Sequence, residues 1–197
     1  MILCVCRDDL RGTWEVGRQS FQAHPDVFRH VHLVFASEIP MLGATEDLHV
    51  LAHGATDGDD GEPLLGDAHD ALYLNASTFW TNVGPIFPPG YRAGVYISAC
   101  ESADPGPGTD FGFATALAAR LRAERGGECR VYGHKGSVGG TVPLPDDDLW
   151  IEAEKAGSAR FGFARNARVG NGGARPRSAK RFGATRFLRI NFVHERK

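Results

Sequence analysis

A histidine and a cysteine each follow an apolar run in this 197-residue chain. The run LHVLA (48–52) leads into His53-Gly54, and the run GVYISA (94–99) leads into Cys100. A thiolate attacks carbonyl carbons, and it forms most readily beside a base or a cation. Histidine is the side chain that exchanges protons near neutral pH. The pair indicates nucleophilic catalysis, provided that the fold brings the two side chains together.

Both apolar runs have the near-continuous hydrophobic character of strands buried in a parallel sheet. The carboxyl ends of such strands form one edge of the sheet, which is where ligands bind in open α/β proteins. His53 and Cys100 are 47 residues apart, enough for the crossover that parallel neighbours require. Gly54 has no side chain, so its backbone N–H can face a substrate oxygen. Together with the N–H of Cys100 it would form an oxyanion hole.

The remaining pattern predicts an α/β fold, a three-layer sandwich around a mostly parallel central sheet. Apolar runs bounded by turn residues alternate with helical segments, which favours right-handed crossovers. Helices are predicted over 76–87 and 110–125, the second with Thr109 or Asp110 as its N-cap and ending at Gly126-Gly127. The predicted strands cover residues 1–6, 31–37, 48–52, 94–99 and 129–133.

A strand ending in His-Gly, followed about fifty residues later by a strand ending in Ala-Cys, resembles the caspase-like (clan CD) cysteine peptidases. The sequence Ser98-Ala99-Cys100-Glu101 lacks the glutamine of true caspases. It is more similar to bacterial CHAT-domain peptidases and to the self-processing cysteine protease domains of bacterial toxins. The resemblance covers about residues 1–140.

This resemblance implies a caspase-like (caspase-hemoglobinase) fold and a cysteine endopeptidase that works through a thioester acyl-enzyme. Carried over to this chain, His53 and Cys100 match the catalytic dyad, and Gly54 matches the oxyanion contributor.

Substrate-binding residues are expected close to the nucleophile. Ser98 lies two residues before Cys100, where caspases have a glutamine that lines the specificity pocket, and serine is too short for that task. Asp104, in the loop after Cys100, is a second candidate pocket residue. The segment GHKGSVGG (133–140) follows the next strand and is expected to form another wall of the cleft. An acidic loop at 55–63 would form its rim and favour a basic residue before the cut bond.

The end of the chain differs in composition from the rest. Residues 157–197 carry 11 Lys and Arg against the single acid Glu195, while the remainder has a net charge of −12. We assign residues 1–156 to the catalytic core and 157–197 to a basic loop and a final strand (186–193) of the same domain. The basic segment would fold across the acidic body or bind an acidic partner or polyanion.

In the toxin domains that the chain resembles, a basic surface binds inositol hexakisphosphate and activates the enzyme. The same activator is a candidate here, although no cofactor is expected to be required. The residues that would bind it are Arg160, Arg165, Arg168, Lys180 and Arg181.

The sequence does not favour metal, nucleic-acid or membrane chemistry. The cysteines form no CxxC motif, and His24, His30 and His32 lack the further spaced ligands of a zinc site, so no metal is predicted. No platform for nucleic acid is visible. Without a signal peptide or an apolar span, a cytoplasmic protein is expected, with delivery by a dedicated secretion system left open.

Three functions are therefore compared. The first is a cysteine peptidase acting on a protein or peptide, such as a bacterial effector, toxin or defence protease, which could cut its own chain within 157–185. The second is a non-catalytic caspase-fold module that docks an acidic partner through its basic segment. The third is another thiol enzyme, such as an acyltransferase, for which no acyl-donor motif is present.

Overall fold

A computed structural model describes residues 1–7, 9–35, 38–58, 61–67, 72–126 and 128–153 of the chain. The strands are β1 (Ile2–Cys4), β2 (Val31–Leu33), β3 (Leu48–Leu51), β4 (His53–Ala55), β5 (Leu64–Gly66), β6 (Tyr73–Asn75), β7 (Gly94–Ser98), β8 (Arg130–Gly133) and β9 (Ile151–Glu152). The α-helices are α1 (Glu15–Ala23), α2 (Pro25–Phe28), α3 (Ala76–Val83) and α4 (Phe113–Arg125). A π-helical turn, Leu10–Trp14, precedes α1, and a 3₁₀ turn, Gly84–Ile86, follows α3.

Six strands form a mixed, mostly parallel sheet in the order β2-β1-β3-β7-β8-β9. All neighbours in it pair in parallel except β8 and β9, which are antiparallel. A small antiparallel sheet has the order β4-β5-β6. The α/β class and the mostly parallel sheet are thus confirmed. All five predicted strands are present, each shorter than its apolar run.

The central strands are buried on both faces, which explains their continuous apolar sequences. In β1, Leu3 belongs to the larger core cluster, whereas Ile2 and Cys4 belong to a second cluster. Residues of α3 and α4 pack in the larger cluster, and residues of α1 and α2 pack in the second. Because successive residues of a strand point to opposite faces, the helices cover both sides of the sheet.

The prediction for α4 is confirmed except for its first turn. The helix begins at Phe113 with Gly112 as its N-cap, so the prediction of Thr109 or Asp110 is wrong. The Thr109 hydroxyl instead bonds to the Phe111 carbonyl oxygen at 2.9 Å, which stabilises the preceding loop. The helix ends at Gly126, whose φ of 65° is the left-handed conformation that glycine adopts without steric cost.

Sequence patterns alone did not predict α1, α2 or the antiparallel sheet. Gly12 and Gly17 lower the helical propensity of the segment before Ala23. Gly17 is nevertheless required there, because a Cβ atom would lie 2.7 Å from the sulfur of Cys4. The predicted basic loop (157–197) and final strand (186–193) lie outside the described residues. Within the described ranges, no helix is both long and apolar enough to span a membrane.

Candidate functional site

The sheet order makes β3 and β7 neighbours, with Leu51 opposite Ser98 at their carboxyl ends. The predicted strand before His53 is shorter than expected, because β3 stops at Leu51 and the chain then leaves the main sheet. His53 is the first residue of β4, where it pairs with Gly66 in the small sheet. The histidine is therefore positioned by the junction of two sheets.

A tight turn after β7 carries Cys100. The next residue, Glu101, has a φ of 55°, which is unfavourable for a residue with a side chain. The turn is held by Ser102, which donates from its hydroxyl to the Ile97 carbonyl oxygen at 3.0 Å and accepts the His134 N–H at 2.9 Å. Backbone strain of this kind persists where surrounding contacts impose it, and it is concentrated at functional sites.

Gly54 lies directly against the main chain of Cys100. A Cβ atom at Gly54 would overlap the carbonyl oxygen of Cys100 and approach its nitrogen to 3.1 Å. Only glycine allows this close approach of the two backbones. The sequence predicted that Gly54 lies near Cys100, and in the structure the two backbones are in contact.

His53 and Cys100 line one cavity of about 180 Å³ at the carboxyl edge of the main sheet. Ser98 lines it too and is itself buried. Asp104 is not among the described lining residues, and its carboxylate instead accepts the Gly136 N–H at 2.7 Å. The other lining residues are Gly12, Thr13, Val16, Leu51, Ala52, Val138, Gly139, Gly140 and Thr141. The end of the 133–140 segment thus forms a cavity wall, as expected.

Cys100 is partly exposed, and its sulfur lies beside the backbone of Val138. The Val138 N–H donates to Sγ at 3.3 Å, and the Val138 carbonyl oxygen is 3.5 Å from the same sulfur. Burial raises the pKa of Cys129 to about 11 and that of Cys6 to about 12, and it raises the pKa of Cys4 further.

Asp9 is a site residue that the sequence analysis missed. His53 Nε2 lies 3.1 Å from Asp9 Oδ2. Partial burial opposes ionisation of Asp9, but hydrogen bonds from Thr13, His53 and Gly12 outweigh it and lower its pKa to about 2. The ionised carboxylate only accepts hydrogen bonds, so Nε2 is the ring nitrogen that donates in this contact, and Nδ1 is the acceptor nitrogen of that tautomer.

Asp9 reaches His53 because β1 and β3 are neighbours in the sheet. Its carboxylate also accepts the backbone N–H groups of Gly12 and Thr13, at 2.9 and 3.0 Å, and so caps the turn that leads into α1. The sequence feature that could have identified Asp9 is its position after the first predicted strand, at the same edge of the sheet as His53. An acid at a helix start is usually read only as a cap.

Other titratable groups do not assemble a metal site in the described part of the chain. No group of three or more His, Cys, Asp or Glu side chains there is arranged to hold a metal ion. The rings of His30 and His32 are 6.2 Å apart, without a third ligand. The arginines and the lysine proposed to bind inositol phosphate lie outside the described residues.

Comparison with models of known protein families, with curated proteins and with solved structures gives no match for this chain.

Proposed function

We propose that this chain is a cysteine endopeptidase with a caspase-like fold, in which Cys100 is the nucleophile and His53 moves protons. The observation that carries the proposal is that both residues line one cavity, with Gly54 packed against the Cys100 backbone. A buried core cysteine would not need a neighbouring histidine, a glycine and a strained turn together.

In the first step, His53 Nδ1 takes the proton of the Cys100 thiol, and Sγ attacks the carbonyl carbon of a peptide bond. The carbonyl oxygen becomes an oxyanion, which the backbone N–H groups of Gly54 and Cys100 stabilise. Donors of this kind contribute about 3–4 kcal/mol each to transition-state stabilisation. Asp9 stabilises the positive charge on the imidazolium.

In the second step, the imidazolium gives its proton to the departing amine, the C–N bond breaks, and a thioester to Cys100 remains. Water then attacks the thioester while His53 accepts one of the water protons. The carboxylic acid leaves and the thiol is restored. Peptide and water are thus converted to an acid and an amine, and no redox cofactor is consumed.

A decisive experiment compares the wild-type chain with Cys100→Ala on a library of fluorogenic peptides. We expect cleavage by the wild type and its loss in the variant. A second readout is alkylation by a peptidyl electrophile, which should label Cys100 before Cys4, Cys6 or Cys129, because burial raises the pKa of those three thiols.

The control for general thiol reactivity is Cys129→Ala, which removes a thiol outside the cavity and should leave both readouts unchanged. Equal cleavage by the wild type and Cys100→Ala would refute the proposal. If labelling showed no preference for Cys100 and no peptide were cut, a non-catalytic binding module would be the better description.

A further inference from the structure

The turn that leads into α1 surrounds the Asp9 carboxylate with hydrogen-bond donors. The backbone N–H of Gly12 donates to Oδ1 at 2.9 Å, and the backbone N–H of Thr13 donates to Oδ2 at 3.0 Å. These two bonds complete an ordinary helix cap, in which a side-chain oxygen accepts the unpaired N–H groups of the first turn. A Cβ atom at Gly12 would overlap both carboxylate oxygens, so glycine is required there.

The hydroxyl of Thr13 makes a further contact that a cap does not need. It donates to Asp9 Oδ2 at 3.0 Å, and the same oxygen lies 3.1 Å from His53 Nε2. A threonine in a helical turn commonly donates to the main-chain carbonyl oxygen four residues earlier, which here also belongs to Asp9. The Trp14 N–H is directed at that carbonyl oxygen, at 3.4 Å. The hydroxyl thus bonds to the carboxylate oxygen that contacts the histidine.

Thr13 is itself held in place, and it lies at the cavity. The residue is only 6% exposed, and its carbonyl oxygen is 3.8 Å from the sulfur of Cys4 in the core. It lines the same cavity as His53 and Cys100. It belongs to the π-helical turn Leu10–Trp14, and π-helical turns are frequent at functional sites.

We infer that Thr13 is a positioning residue, whose hydroxyl holds Oδ2 of Asp9 against Nε2 of His53 while protons move. The inference rests on the proposed peptidase function. The torsion that rotates an aspartate carboxylate is soft, so a further donor on Oδ2 fixes the direction of that oxygen. The His53 side chain is 53% exposed, so water competes for Nε2. A carboxylate that is already oriented stabilises the imidazolium without reorganisation when the charge develops.

The test uses a matched pair of variants of the full-length chain. Thr13→Val keeps the shape and the backbone N–H but lacks the hydroxyl, whereas Thr13→Ser keeps the hydroxyl and lacks the methyl. Both are assayed on the library peptide that the wild type cleaves fastest. We expect kcat of Thr13→Val to fall about 3- to 10-fold with KM within about twofold of the wild type, because the lost bond loosens the acid and not the substrate. Thr13→Ser should recover most of the lost kcat.

A double-mutant cycle tests whether Thr13 acts through Asp9. In Asp9→Ala the hydroxyl has no carboxylate to hold, so adding Thr13→Val should lower kcat by less than about twofold more. Urea unfolding is recorded for every variant, so that kcat is compared only between chains that are folded in the assay.

Each contrary result has a defined meaning. If Thr13→Val keeps the wild-type kcat, or changes KM alone, the inference is wrong, and the peptidase stands as long as Cys100→Ala is inactive. If Thr13→Ser loses as much kcat as Thr13→Val, packing around the side chain matters and the hydroxyl does not. An equal effect of Thr13→Val in the wild-type and Asp9→Ala chains would also overturn the inference. If the wild type cleaves no faster than Cys100→Ala, the peptidase function and the inference both fail.

Discussion

Asp9→Asn tests whether the carboxylate beside His53 acts in the reaction or only caps a helical turn. Asp9 uses both oxygens: Oδ1 accepts the Gly12 N–H, whereas Oδ2 accepts the Thr13 N–H, the Thr13 hydroxyl and His53 Nε2. An asparagine has a single acceptor oxygen. We expect that oxygen to take the position of Oδ2, where it keeps three of the four contacts. The variant then loses the negative charge and one contact to Gly12.

Two different magnitudes follow. The lost Gly12 contact should lower the free energy of unfolding by about 1 kcal/mol. The bond to His53 becomes neutral, and charge-assisted bonds are about twice as strong as neutral ones, so about 1–2 kcal/mol of transition-state stabilisation is lost. This corresponds to a decrease in kcat of about 5- to 30-fold. The lower end is expected, because the His53 side chain is 53% exposed and solvent screens the pair.

The assay measures kcat at saturating peptide, together with urea unfolding, for the wild type, Asp9→Asn and Asp9→Ala. Asp9→Ala loses all four contacts, so its kcat should fall well below that of Asp9→Asn. The reasoning is refuted if Asp9→Asn retains the wild-type kcat while Cys100→Ala abolishes cleavage. It is also refuted if raising the stability with an osmolyte restores the activity of Asp9→Ala, because the residue would then act only as a cap.

Two further predictions concern a contact at the site and a buried ring away from it. Gly54→Ala should reduce kcat/KM by about 100-fold or more, since the added methyl overlaps the Cys100 carbonyl oxygen and displaces the reacting groups. Gly43→Ala is the control, because a Cβ atom there would lie 3.4 Å from its nearest neighbour, and this variant should be active. Equal activity of Gly54→Ala and Gly43→Ala would contradict the packing argument. Burial lowers the pKa of His49 from 6.5 to about 3. As the pH falls below 6.5, His49 takes up a proton in the unfolded chain but not in the folded one, so the free energy of unfolding decreases. Relative to His49→Phe, the wild type should lose about 3 kcal/mol of unfolding free energy between about pH 7 and pH 4, as measured by urea titration. If the difference in unfolding free energy between the two proteins did not change with pH, this prediction would be refuted.

The buried ring of His49 shows what a sequence pattern omits. As the alternate residue of a strand, it could have faced either a helix or solvent. In the structure it is fully buried, stacked on Tyr96 with ring centroids 4.8 Å apart and with the edge of Phe28 at the same distance. Neither ring nitrogen has a hydrogen-bond partner among the described residues. Its shifted pKa therefore depends on neighbours from other elements, which local sequence does not specify.

The sequence by itself determined the local elements and the residue types of the site. Continuous apolar runs are typical of strands covered on both faces, so the main strands, and the positions of His53, Gly54 and Cys100 just after two of them, could be predicted from the sequence. The left-handed end of α4 followed from Gly126 for a similarly local reason.

Only the tertiary structure decided which of these ends meet. The pairing of β1 with β3 brings Asp9 to His53, which is 44 positions away in the sequence. This contact depends on strand order and on packing between distant segments, which the period of a single segment does not encode. The sequence therefore identified the two residues proposed to react, and the fold identified the acid beside the histidine.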